Sequence, residues 1–333
     1  MKQKEIQFVA KSRPLVSVCV PVYNAAKYLP RCLDSLISQT LTNIEIVCVN
    51  DGSTDNSSNI LDSYAKKYKN IKIINQTNAG LGGARNAGIK NATGEYVGFV
   101  DADDYVSENM FKILYNLAKQ NKSDIAMCNL DFVPNDIKTK KHMWYHPYEG
   151  KITGEFLDRN IQPWNKIVSR ELLDKTKFSF FKKNGDDMYI MLMLESKGIV
   201  STDEILYHYR VGHDSMSTSF KIENFSNFLD CTYEQMRALN KTKYKSELKK
   251  YFEYRMIYVL IQTMAVAALK RDQAVFLECK RKLKGYDFRN NPYIEKILRK
   301  DFSKLEFFNM VYVLPLNYRL SAALTSIKFR GGK

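Results

Sequence analysis

Apolar and polar positions along the first 130 residues follow two alternating periods. Short runs rich in β-branched residues, typical of buried strands, are each followed by a stretch with apolar residues at helical spacing. The runs predict strands over 15–22, 44–49, 71–74, 95–100 and 124–130. The stretches between them predict helices over 26–39, 57–68, from about 84, and over 107–120. Strands that alternate with helices of this length indicate an α/β fold, a mostly parallel sheet flanked by helices.

The pattern changes after residue 130. Residues 132–162 show no regular period, and the next segments predict short helices over 163–174 and 186–197 and a strand over 204–209. From about residue 220 the spacing is helical, with helices predicted over 221–239, 244–270, 272–284 and 292–308. We therefore expect three parts: an N-terminal extension (1–13), an α/β domain (14–218) and a helical C-terminal region (219–333).

Polar residues follow three of the predicted strands, with Asp51 after the second, Asn78 after the third and Asp101 after the fourth. Ligands of open parallel sheets bind outside the carboxyl ends of the strands, so these residues are expected to line one crevice. Asp101 and Asp103 lie one residue apart at a strand end, where two carboxylates can converge on Mg²⁺ or Mn²⁺. The alternative is an acidic turn that caps the next helix through Asp104 or Ser107, and the spacing leaves both interpretations open.

The composition, with 45% hydrophobic and 26% charged residues, is typical of a soluble globular protein. The six cysteines are scattered without C-x-x-C spacing, which argues against a zinc site or a disulfide framework. The N-terminus lacks the apolar core of a signal peptide, and the longest apolar run, 256–269, is too short to span a bilayer. These features predict a reducing, cytoplasmic location.

Three strings of the sequence occur in a familiar order: VPVYNAAKYLPRCLDSLISQTLTNIEIVCVNDGSTDNS, NAGLGGARNAGI and GEYVGFVDADD. Together they resemble the N-terminal domain of family 2 glycosyltransferases, over roughly residues 14–218. The resemblance implies the GT-A fold, a Rossmann-like, mostly parallel sheet. It also implies a nucleotide-sugar donor, with UDP favoured, a divalent cation held by a D-x-D motif, and inversion at the anomeric carbon. The sugar would move to a hydroxyl of a glycan or lipid-linked glycan.

The resemblance also implies roles for individual residues. Positions that match the family's donor-binding motifs would contact the nucleotide-sugar: Pro21, Tyr23, Asn24, Asp51, Asn78, Arg85, Asp101, Ala102 and Arg210. Asp101 and Asp103 match the D-x-D motif and would hold Mn²⁺ or Mg²⁺. His213, in the segment after Arg210, would be an additional metal ligand, although a lone histidine is also compatible with a structural role.

The acceptor side is implied by two further motifs. Trp164, Asn165 and Lys166 resemble the family's W-N-K segment and would contact the acceptor. Asp186 and Asp187 stand where relatives usually have Glu-Asp, which makes Asp187 the predicted general base and Asp186 an acceptor-binding residue. A core position for Trp164, and a helix-start role for the two acids, are the alternatives.

The net charge of +15 is unevenly distributed. Residues 216–333 carry 23 Lys plus Arg against 11 Asp plus Glu, a difference of +12. This region is predicted either to dock peripherally on an anionic membrane surface at the inner face, where a lipid-linked acceptor would lie, or to be a solvated face with a homo-oligomer contact. Nucleic acid is not expected as a partner, because the basic residues are not interleaved with aromatics on a recognisable motif.

Two other functions compete with sugar transfer. A sugar-phosphate nucleotidyltransferase would usually carry a basic, Gly-rich loop after its first strand, and this chain has VPVYNAAKY there. An inactive nucleotide-sugar-binding homologue is the second competitor, and the intact acids argue against it.

Overall fold

The computed structural model of the chain describes residues 13–133, 147–181, 188–211, 222–287 and 290–294. The predicted domain boundary near residue 218 and most of the predicted helix over 292–308 lie outside the described residues. The basic tail that follows this helix also lies outside them.

The described residues form one eight-stranded sheet with the order β3-β2-β1-β4-β7-β6-β8-β5. The strands are β1 (Val16–Val22), β2 (Ile44–Asn50), β3 (Ile71–Asn75), β4 (Tyr96–Phe99), β5 (Tyr105–Val106), β6 (Ile125–Val133), β7 (Lys166–Ser169) and β8 (Ile199–Arg210). The first four strands pair in parallel, as predicted. β7 is antiparallel to both of its neighbours, and β5 is antiparallel to β8, so the second half of the sheet is mixed.

Helices cover the faces of the sheet, and the α/β fold class predicted from the sequence is confirmed. They are α1 (Leu29–Ile37), α2 (Ser57–Lys67), α3 (Gly80–Asn91), α4 (Met110–Gln120), α5 (Gly154–Arg159), α6 (Arg170–Thr176), α7 (Tyr189–Glu195), α8 (Ile222–Leu239), α9 (Lys245–Leu269) and α10 (Gln273–Leu283). Every residue of β1 is buried, which explains its continuous apolar run. Gly88 lets α3 lie directly on β1, because a Cβ there would stand 2.9 Å from Cys19.

The predicted helix over 163–174 is wrong in its first half. Residues Lys166–Ser169 form β7, a buried strand inserted between β4 and β6. Pairing on both sides outweighs the local helical pattern, and β-branched Ile167 and Val168 suit a strand. The helix begins only at Arg170, where the Ser169 hydroxyl accepts a hydrogen bond from the Leu172 N–H at 3.2 Å.

The predicted strand over 204–209 proves to be longer, Ile199–Arg210. Its extra length allows β8 to pair with β6 along most of its course and with β5 near its end. The last residues of β8 thereby lie beside the turn that follows β4.

The C-terminal helices α8, α9 and α10 pack side by side and contact the α/β part of the chain. A Cβ at Gly154 of α5 would stand 2.7 Å from the Tyr251 ring of α9, so the two elements touch. Lys151 and Glu247 form an ion pair at 2.7 Å across the same junction. Within the part of the chain that the structure describes, no helix combines the length and apolarity needed to cross a membrane.

Candidate functional site

Parallel pairing of β2, β1 and β4 brings the residues that follow these strands to one edge of the sheet. The loop after β1 carries Tyr23 and Asn24, the loop after β2 begins with Asp51, and the turn after β4 begins near Asp101. β3 pairs with β2 in parallel, so Asn78, which follows β3, lies at this edge too. The three clusters predicted to share a crevice, at Asp51, Asn78 and Asp101, therefore do share an edge. Residues 101–104, which contain three carboxylates, are called the acid turn below.

The first acid of this turn is paired with a buried arginine. Arg85 of α3 donates from Nη2 to Asp101 Oδ1 at 2.9 Å, and the Arg85 side chain is fully buried. The Asp101 side chain is 22% exposed, so it faces both the guanidinium and the solvent. An arginine on one helix and an acid after one strand thus meet at the crevice.

The last acid of the turn, Asp104, is almost fully buried. Its Oδ2 accepts a hydrogen bond from the Tyr207 hydroxyl at 2.6 Å, and its Oδ1 accepts one from the Arg210 backbone N–H at 2.7 Å. Burial, followed by the negative charges of Asp103 and Asp101, raises the pKa of the Asp104 carboxyl well above its usual range. Burial and the charge of Asp104 likewise raise the pKa of Tyr207.

A cation would suit this arrangement of charge. Three carboxylates lie within four residues here, and, after burial, the negative charges of Asp103 and Asp101 add to the rise in the Asp104 pKa. Their oxygens are the hard ligands that Mg²⁺ and Mn²⁺ prefer, and such ions usually take one or two carboxylates plus substrate phosphates. Among the described residues, no three acids, histidines or cysteines are arranged to hold a metal by themselves. The acid turn therefore fits a cation that substrate oxygens help to bind.

Asp51 and Asn24 organise the neighbouring loops. Asp51 is 2% exposed, and its Oδ1 accepts hydrogen bonds from Gln76 Nε2 at 2.7 Å and from the Ala79 N–H at 2.8 Å. Asn24 has φ 50°, in the left-handed region that asparagine tolerates, and its Oδ1 accepts from the Thr54 N–H at 2.8 Å. Both side chains thus tie one crevice loop to the next.

Other predicted donor residues line the same edge. Tyr23 is 51% exposed and presents its ring at the end of β1, which also contains the buried Pro21. Asn78 is exposed, and its Oδ1 accepts from the Gly80 N–H at 3.3 Å at the start of α3. Ala102 is buried inside the acid turn, and Arg210 approaches the turn from β8. The structure thus brings the predicted donor-binding residues together, and their roles stay predictions.

The W-N-K segment lies in the interior. Trp164 is stacked on the rings of Tyr207 and Tyr209, with centroids 4.7 and 5.3 Å away. Asn165 and Lys166 are fully buried: Asn165 Nδ2 donates to the Cys128 carbonyl at 2.6 Å, and Lys166 Nζ donates to the Gln162 carbonyl at 2.7 Å. Their predicted acceptor contacts stay predictions, and in the structure these side chains support β6 and β8. Asp186, Asp187 and His213 lie outside the described residues.

Two functional candidates were not predicted from the sequence, Asp104 and Tyr207. For Asp104 the sequence predicts only a helix cap, although the residue follows the D-x-D motif directly. Tyr207 and Tyr209 alternate along β8 on the face that meets Trp164, and this period-two spacing is the signal that would have identified them. His208, on the opposite face, joins three elements through Asp131 Oδ1 at 2.7 Å and Ser107 Oγ at 3.0 Å.

Replacing Arg85 with methionine is expected to destabilise the fold by about 2–3 kcal/mol. The change leaves Asp101 beside two other acids without its guanidinium, and loss of one partner from a buried pair typically costs about 3–5 kcal/mol; the partial exposure of Asp101 reduces this cost. Urea unfolding followed by circular dichroism measures the change. Arg281→Met, which breaks an exposed ion pair with Glu278, is the control and should leave the midpoint unchanged. Adding Asp101→Asn to Arg85→Met should restore part of the loss, and failure to do so would contradict this explanation.

The sequence profile of glycosyl transferase family 2 matches residues 17–177 of the chain. The uncharacterized glycosyltransferase EpsJ of Bacillus subtilis is 36% identical over 217 residues, which cover 61% of this chain and 63% of EpsJ. The chain thus spans less than two thirds of the length of EpsJ. The putative glycosyltransferase EpsH of the same organism is 32% identical over 70% of this chain and 71% of its own length.

Among solved structures, the chain resembles residues 1–349 of S. aureus TarS in complex with UDP-GlcNAc. The TM-score is 0.68 with 23% sequence identity, and the superposition covers 96% of this chain and 92% of the TarS chain. At this identity the likeness establishes the fold, and it extends beyond the α/β part into the C-terminal helices.

Proposed function

Because the chain belongs to glycosyltransferase family 2, we propose that it transfers a sugar from a UDP-sugar to a hydroxyl of a glycan or lipid-linked glycan, with inversion at the anomeric carbon. The observation that carries the proposal is the acid turn with its Arg85–Asp101 pair at the shared carboxyl edge of β1, β2 and β4. Support for a uridine nucleotide comes from TarS, which has this fold and has been crystallised with UDP and with UDP-GlcNAc.

In this proposal the crevice loops hold the nucleotide. The exposed ring of Tyr23 offers the uracil an apolar face, and Asp51 and Asn24 fix the loops on either side of the base. Asn78 borders the same loops, and Asp101 faces the ribose. The guanidinium of Arg210 donates from Nε to the Asp103 carbonyl at 2.9 Å, which supports a role for its positive charge in binding the diphosphate.

Asp101 and Asp103 would hold Mn²⁺ or Mg²⁺, with His213 proposed as a further ligand. When bound, the cation offsets the negative charge that develops on the departing nucleoside diphosphate. Around it, Arg85 keeps the Asp101 carboxylate in place, and Arg210 holds the backbone of Asp103. These contacts orient the two carboxylates before the donor arrives, so that little rearrangement is needed on binding.

The acceptor hydroxyl must lose its proton as it attacks the sugar. We propose that Asp187 accepts this proton. As the base it would act from the side of the sugar opposite the diphosphate, since attack from that side inverts the anomeric carbon. Asp186 and the W-N-K segment would shape the acceptor pocket. The burial of Trp164, Asn165 and Lys166 favours support from beneath the pocket over direct contact.

The two-part organisation, an α/β catalytic domain over 14–218 followed by a helical region, is included in the proposal. The basic C-terminal region is proposed to dock on an anionic membrane surface that presents the lipid-linked acceptor. Sedimentation with vesicles of anionic and of zwitterionic lipids tests this: selective sedimentation with anionic vesicles is expected. A protein that stays in the supernatant at moderate salt would leave a solvated face with an oligomer contact as the explanation.

A thermal-shift experiment tests the donor site. UDP plus Mn²⁺, at about 100 times the dissociation constant, should stabilise the protein by about 2.7 kcal/mol and raise its melting temperature by about 4 °C. UDP-sugars that give the same shift are then assayed for release of UDP with and without glycan acceptors. A UTP-plus-sugar-phosphate reaction that releases diphosphate is the control. Release of diphosphate in that control, without release of UDP from any UDP-sugar, would contradict sugar transfer and favour the nucleotidyltransferase.

A further inference from the structure

Two residues near the end of β8 hold the acid turn in place. Tyr207 and Arg210 together make four hydrogen bonds to it, through the backbone of Asp101, the carbonyl of Asp103 and the carboxylate of Asp104. β8 pairs with β6 and β5, and not with β4, which carries the turn. β5, which directly follows the acid turn, pairs with β8, and these side-chain and backbone contacts extend that connection onto the turn itself.

The Tyr207 hydroxyl has a special place in this connection. It donates to Asp104 Oδ2 at 2.6 Å and accepts from the Asp101 N–H at 3.3 Å, so one oxygen joins the first and the last residue of the acid turn. The ring is fully buried and stacked on Trp164, with centroids 4.7 Å apart and planes at 21°. Packing of the ring therefore fixes the position of the hydroxyl.

We propose that Tyr207 is a positioning residue, whose hydroxyl sets the separation and direction of the Asp101 and Asp103 carboxylates for the divalent cation of the proposed function. The inference rests on that function. With the Asp101 backbone and the Asp104 side chain both fixed by Tyr207, and the Asp103 carbonyl fixed by Arg210, the segment between them has few conformations left. Cation sites require ligand positions accurate to a few tenths of an ångström, and groups that orient the ligands are needed for tight binding.

Tyr207→Phe tests the proposal, because it removes the hydroxyl and leaves the ring to pack on Trp164. The affinity for Mn²⁺ in the presence of UDP, measured by electron paramagnetic resonance or calorimetry, is expected to fall about 10-fold to 100-fold. The Mn²⁺ concentration that gives half-maximal transfer should rise by the same factor, while the KM for the acceptor stays unchanged. A residue with a merely structural role would lower the melting temperature without this selective loss of cation binding.

Tyr115→Phe is the matched control. The Tyr115 hydroxyl also donates to a carboxylate, Glu95 Oε2 at 3.0 Å, but at the opposite edge of the sheet, near the start of β4. The control removes the same kind of hydrogen bond and is expected to leave Mn²⁺ affinity at the parental value. A loss of Mn²⁺ affinity in the control equal to that in Tyr207→Phe would overturn the proposal.

Asp104→Asn provides a second, independent variant should Tyr207→Phe fold poorly. If the hydrogen bond between Tyr207 and Asp104 is what supports Mn²⁺ binding, each single substitution already removes it. The double variant, Tyr207→Phe with Asp104→Asn, should then bind Mn²⁺ about as well as the weaker-binding single variant. Fully additive losses would overturn the proposal, as would parental Mn²⁺ affinity in Tyr207→Phe. A parental protein that binds no Mn²⁺ with UDP present would overturn the proposed cation site itself, which distinguishes the two failures.

Discussion

Exchanging Asp103 for asparagine is expected to lower the rate of sugar transfer by about 100-fold to 1,000-fold. The carboxylate is the proposed direct ligand of the cation, and the neutral amide binds a divalent ion much more weakly. Stabilisation of developing charge by one positioned group is typically worth about this factor. After burial, the Asp103 charge is the next contribution to the raised pKa of Asp104, and its removal lowers the negative charge of the acid turn, so the variant protein should be no less stable than the parent.

The measurement is the rate of UDP release from a donor in the presence of acceptor, at several Mn²⁺ concentrations. Excess EDTA should lower the parental rate to the same level and should change the rate of Asp103→Asn little. Asp203→Asn, at an exposed position in β8, is the control and should retain the parental rate. Undiminished parental activity in EDTA would rule out the cation in the proposed mechanism.

Exchanging Asp187 for asparagine is expected to lower turnover by at least about 100-fold while leaving donor affinity intact. General base catalysis typically contributes about 10²–10⁴-fold, and an amide does not accept the proton of the acceptor hydroxyl at neutral pH. Because the residue is proposed to act on the acceptor side, the loss should fall on kcat. The thermal shift with UDP and Mn²⁺ should stay at the parental value.

The same assay distinguishes a catalytic base from a helix-starting acid. If Asp187 only favoured the start of α7, Asp187→Asn would lower the melting temperature and leave kcat near the parental value. Asp174→Asn, which affects an exposed acid of α6, is a suitable control for a general effect of removing one negative charge. Transfer by Asp187→Asn at close to the parental rate would contradict the base assignment.

Much of the α/β half could be predicted because its signals are local. The strands β1 and β2 are buried on both faces and therefore read as continuous apolar runs, and the helices between them keep a clear 3.6-residue period. The position of β7 could not be predicted in this way. Four residues are too few for a period, and their strand conformation depends on pairing with β4 and β6, which are distant in sequence.

The same difference between local signals and contacts of long sequence range applies to the candidate site. Topology alone brings Asp51 and Asp101 to one edge, because parallel neighbours end at the same side of a sheet. By contrast, the burial of Asn165 depends on a hydrogen bond to a carbonyl 37 residues earlier, and the place of Tyr207 depends on Asp104, 103 residues earlier. Contacts between residues so far apart leave no periodic pattern in the sequence, so hydrophobic periodicity predicts neither of them.

The insertion of β7 between β4 and β6 has a consequence for the order of folding. During synthesis, β1 to β4 can pair as soon as they have left the ribosome, whereas β6 has no edge to join until residues 166–169 follow it. Pairing over such separations is slow, since the intervening loop must close first. We therefore expect the nascent chain to hold a four-strand parallel unit early and to add β7, β6 and β8 afterwards. The Tyr207 contacts with the acid turn would then form late, so the proposed cation site would be completed only near the end of folding.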